Sequence, residues 1–115
     1  MLNLSTRLTG LVIMTCLLFS GCSSAPTKPR QAAVTPAVEA GFSQALEYMQ
    51  AANWTAARDA LEELAARNEQ LPGVWLNLGI ARSQLGDSDN ALIALERAVK
   101  LDQSNAIAHN QLGIV

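Results

Sequence analysis

Displaced by 34 residues, the second half of this chain falls on itself. Ala45, Gly79 and Gly113 coincide, as do Leu46, Ile80 and Ile114. The same shift pairs Leu78 with Leu112, Asn53 with Asp87, Ala57 with Ala91, Leu61 with Leu95, and Glu62 with Glu96. A period of this length is one supersecondary unit, which cannot bury its apolar face alone and must stack on its neighbours. Such a chain is constrained to a one-dimensional array of units rather than one globular core. Within each period apolar residues recur at steps of three and four. Phe42, Ala45, Leu46 and Met49 form one run, and Ala57, Ala60, Leu61 and Leu64 the next. Trp75, Leu78, Ala81 and Leu85 follow, then Ala91, Leu92, Leu95, Ala98 and Val99. That spacing is the face of a helix. Alanine, leucine and glutamate dominate from Pro36 onward and β-branched residues are few, so the fold class is all-α.

The helix ends are written in the same stretch. Thr35-Pro36 predicts a start, with threonine as cap and proline at the first helical position. Asn53 is placed to cap a second helix and Pro72 to open a third. Gly86 is placed to end that helix, Asp87 to cap a fourth and Asn105 a fifth. Isolated helices under about 12–15 residues are marginal in water, so these must pack on one another.

A helix–turn–helix unit of this period resembles the tetratricopeptide repeat. In 72–105 the places that pattern specifies hold Trp75, Leu78, Gly79, Ala91, Leu95 and Ala98. Gly79, Ala91 and Ala98 let paired helices approach closely, and Trp75 and Leu95 fill the space between them. In 38–71 Gly41 and Gln44 stand at the Trp and Leu places, while Tyr48, Ala57 and Leu61 fit. The proline of the pattern is replaced by Glu69 and Gln103. A third unit begins at Ala106, with His109, Leu112 and Gly113 in place, and reaches Val115 within its first helix. The resemblance implies helical hairpins in a short right-handed solenoid over 36–115. It also sets an expectation that the chain is a piece of a longer array, with a self-capping or dimerising short protein as the alternative.

Residues 1–21 read differently. A short basic start from Met1 to Arg7 precedes an apolar stretch from Leu11 to Phe19, about half the roughly 20 residues a spanning helix needs. Leu17-Leu18-Phe19-Ser20-Gly21-Cys22 then resembles the lipobox of a bacterial lipoprotein signal, with Phe19 where that family most often has Leu. The resemblance implies cleavage before Cys22 and a diacylglycerol on its sulfur. No Asp follows Cys22, which by the same resemblance favours the outer membrane, facing the periplasm. Two or three acyl chains, at about 0.8 kcal/mol per buried methylene, would anchor the chain without crossing the bilayer. The only other cysteine, Cys16, leaves with the signal, so no disulfide or cysteine metal site is expected. From Cys22 to Thr35 the chain holds Pro26, Pro29, Ser, Thr and Ala and reads as a tether.

Cleavage removes only Arg7 of the eight basic residues and none of the ten acids, leaving a net charge of about −3. Nucleic acid is therefore not an expected partner. No nucleophile, zinc cluster, calcium loop or phosphate loop is recognisable, so catalysis, cofactor, metal and small-molecule substrate are all unexpected. His109, the only histidine, replaces the repeat's Trp and reads as a packing residue. Asp59, Glu62 and Glu63 read as a solvated acidic face, and Asp87 and Asp89 as helix-start residues.

By the same resemblance, tetratricopeptide arrays hold peptides on the concave face of their first helices. Mapped onto this chain, that face carries Glu39, Phe42, Ser43, Leu46, Met49 and Gln50, then Leu76, Asn77, Ile80, Ser83 and Gln84, then Ile107, Asn110, Gln111 and Ile114. The basic clamp with which some members grip a carboxylate is absent, Asn77 alone matching it. An apolar or helical protein segment is the expected partner, bound through Phe42, Leu46, Met49, Leu76, Asn77 and Ile80. The five apolar residues among these serve equally well as core. Two functions follow from the layout. One is a scaffold or assembly factor of the bacterial envelope, in pilus, secretin or outer-membrane machinery. The other is an adaptor for a cell-wall or other envelope enzyme whose catalytic domain lies beyond residue 115.

Overall fold

The computed structural model describes residues 34–115, which contain five α-helices. These are α1 (Pro36–Gln50), α2 (Trp54–Arg67), α3 (Pro72–Gln84), α4 (Ser88–Leu101) and α5 (Ala106–Leu112). The signal segment, Cys22 and most of the tether lie outside the described residues. Every expected helix start is observed. Thr35, Asn53, Asp87 and Asn105 each accept, through a side-chain oxygen, the backbone N–H three residues on, at 3.0–3.4 Å. Leu71 precedes α3 without a side-chain cap, and Pro72 in the first turn has no N–H to satisfy.

Each helix packs on the next in chain order, α1 on α2, α2 on α3, α3 on α4 and α4 on α5. The first four form two hairpins of a tetratricopeptide-type solenoid, and α5 begins a third unit. The centre of each hairpin is small against large. Gly79 on α3 lies so close to α4 that a Cβ there would stand 2.6 Å from Leu95 Cγ and 3.2 Å from the Ala91 carbonyl oxygen. Leu61, Leu78 and Leu95 are the largest fully buried side chains. Gly41 is matched by Leu64, whose Cδ2 would be 3.1 Å from an added Cβ. One period later the same two places hold Trp75 and Ala98, so bulk on the first helix replaces bulk on the second.

Two buried clusters run along the array. One joins Ala45, Ala57, Leu61, Ala65, Val74, Leu78, Ala81 and Ala94; the other joins Leu76, Leu95, Ala98 and Ala108. Trp75 touches both. Its indole Nε1–H donates to the Glu69 carbonyl at 2.9 Å. His109 does the same one repeat later, with Nε2 3.0 Å from the Gln103 carbonyl, so Nε2 carries the proton. The expectation of a packed His109 is thereby corrected. The ring is exposed, and it reproduces the polar edge of Trp75 rather than its bulk.

Candidate peptide-binding face

The six expected contact residues do not form one exposed stripe. Phe42 and Met49 are half-buried and pack against the first cluster, and Ile80 against the second. Leu46 is half-buried as well. Leu76 is only 8 % exposed, within the cluster of Leu95, Ala98 and Ala108. Of the two roles open to Leu76, core and ligand contact, this burial beside α4 and α5 supports core. Asn77 turns back on its own helix, donating from Nδ2 to the Gly73 carbonyl at 2.8 Å, which leaves its Oδ1 as the free acceptor. Such a bond within one turn satisfies the amide locally and removes a donor from the surface.

What the structure does bring together is an apolar cleft of about 360 Å³ between α1 and the start of α3. Val34, Val38, Glu39 and Phe42 form one wall and Leu71, Pro72, Gly73 and Val74 the other. The local sequence explains it. Val38 and Phe42 are four apart and share a side of α1. Gly73 faces the Phe42 ring, whose Cζ would be in ordinary contact, 3.7 Å, with an added Cβ. Val34, 59 % exposed, extends the wall past the helix start. Helical periodicity alone did not single out Val34, Val38 and Leu71. The signal available for them was the apolar run across two helix starts, which becomes a surface only when α3 is laid beside α1.

The ion pairs gather on α2. Arg58 pairs with Asp59 at 2.7 Å, and Arg67 with Glu63 at 2.9 Å. The Asp59 carboxylate, by hydrogen bond and by charge, raises the Arg58 guanidinium above its already high range. Arg82, 17 % exposed, joins three helices: Nη2 meets Glu62 of α2 at 2.9 Å and Nη1 meets the Asn90 carbonyl of α4 at 3.2 Å. The acidic face is solvated as expected, with Asp59, Glu62 and Glu63 exposed, and each of them is also ion-paired.

The model of the tetratricopeptide repeat matches residues 42–106 and again 76–115. This chain belongs to the tetratricopeptide repeat family. No curated protein matches it. The first helix of each unit is α1, α3 and α5. Tetratricopeptide repeats commonly bind protein partners. The cleft of Phe42 lies between two of these first helices, α1 and α3, and no basic residue lines it. It suits an apolar insertion and lacks the cations that would grip a free carboxylate.

Proposed function

We propose that this chain is a membrane-anchored scaffold or assembly factor of the bacterial envelope, serving pilus, secretin or outer-membrane machinery, and that it carries out no reaction of its own. The observation that supports this most is the cleft between the first helices of two tetratricopeptide hairpins, apolar but for the exposed Glu39 and open to a protein segment. The Leu17–Cys22 segment supports the anchor: acylated at Cys22, the chain would sit on the periplasmic face of the outer membrane. About 13 tether residues at roughly 3.3 Å each would let the array reach some 40 Å from the lipid.

A photo-crosslinking residue placed at Val38, in the cleft, and at Asp59, on the ion-paired side, tests the reading in intact cells. Distinct protein adducts are expected at Val38 and not at Asp59. An absence of adducts at Val38, or the same adducts at both places, would rule out recognition through this face.

A further inference from the structure

The cleft has one ionisable residue on its walls, Glu39, and that residue is exposed. From Val34 to Ala57 the chain carries Glu39 and Glu47 and no Lys or Arg. From Leu71 to Ala81 it carries no charge at all. The ion pairs among the described residues use Arg58, Arg67 and Arg82, and none of them includes Glu39. An apolar floor thus meets one exposed carboxylate that forms no ion pair with a described cation.

From this, and resting on the scaffold reading above, we infer the chemistry of the partner: a protein segment that seats a bulky apolar side chain between Phe42 and Leu71 and sets a Lys or Arg about one helical turn away against Glu39. Both parts of such a residue are accommodated. The methylene stem of Lys or Arg can lie along Val34 and Val38 while its charged head stays in water beside the carboxylate. An acidic segment would bring a second carboxylate beside Glu39, where like charges repel and disfavour the complex. Apolar burial supplies affinity and Glu39 supplies selection, because an exposed ion pair contributes little on its own.

The full chain in detergent would be titrated with three fluorescent peptides of the same length. The first combines Leu and Trp with Lys, the second replaces Lys by Glu, and the third keeps Lys but replaces Leu and Trp by Ser. The first should bind roughly two- to five-fold tighter than the second, the range an exposed ion pair allows, and the third should not bind. Glu39→Lys should reverse the preference between the first two. Val38→Asp should weaken the first roughly tenfold or more through loss of apolar burial, with an unchanged circular dichroism spectrum showing that the fold survives. Equal binding of the basic and acidic peptides, an unchanged preference in Glu39→Lys, or binding of the Ser peptide would overturn the inference. If Val38 still crosslinks to a protein while the peptides show no charge preference, the inference fails and the scaffold reading stands. If neither adducts nor peptide binding are seen, both fail. Self-adducts at Val38 would give the cleft to a second copy and overturn the inference.

Discussion

Ala52 has φ 56°, in the left-handed region, and its equivalent one period later is Gly86 at φ 78°. The two turns share the same hydrogen bonds. Asn53 N–H donates to the Tyr48 carbonyl at 2.8 Å and Asp87 N–H to the Arg82 carbonyl at 3.0 Å. Left-handed backbone costs a non-glycine residue roughly 1–2 kcal/mol, partly offset by the greater freedom glycine loses on folding, about 0.5–1 kcal/mol. Ala52→Gly should therefore raise stability by about 0.5–1 kcal/mol, read as a higher urea midpoint. Gly86→Ala should lower it by a similar amount, although nothing lies within 4 Å of an added Cβ. A fall in the Ala52→Gly midpoint would show that the turn is not strained.

Between elements, α3 approaches α4 closely at Gly79. Gly79→Leu must displace Leu95 and should cost about 1–3 kcal/mol by overpacking. An unchanged midpoint for that variant would contradict the helix register. Leu61→Ala leaves space within the first cluster and should cost about 2–5 kcal/mol. Arg82 acts across three helices, so its removal is unlike removal of a surface pair. Arg82→Ala should cost roughly 1–3 kcal/mol, since its bonds involve a charged donor, whereas Arg67→Ala, whose partner Glu63 is on its own helix, should stay within about 0.5 kcal/mol. Equal losses for the two arginines would remove the case for Arg82 as a strut between repeats.

For the whole molecule, the proposed function sets attachment and recognition apart in the chain, Cys22 at one end of the tether and the Phe42 cleft at the other. Cys22→Ser should abolish labelling by a clickable palmitate and release the protein from membranes, while the Val38 adducts should persist wherever the partner is still reached. A variant that keeps both label and membrane attachment would disprove acylation at Cys22. Among the described residues no helix is long and apolar enough to cross a membrane.

The array was legible in the residues themselves. A 34-residue period, four side-chain caps and helical spacing depend only on local sequence, and each led to an observed helix. Small residues at Gly79 and Ala91 foretold the close α3–α4 approach, because only a small side chain permits it. The candidate site was less legible, for a physical reason. Periodicity says which residues share a helix face but not which neighbouring helix covers that face. Leu76 and Ile80 share a face, yet packing beside Ala108 of α5 takes Leu76 out of reach. His109 looked like a lost Trp until its ring nitrogen was seen at the Gln103 carbonyl, a bond that requires the turn between α4 and α5. The cleft itself exists only between segments: Val38 and Phe42 belong to α1, with Val34 just ahead of it, and Pro72 to Val74 open α3, with Leu71 just ahead of it, about 30 residues on, so stacking alone brings them together.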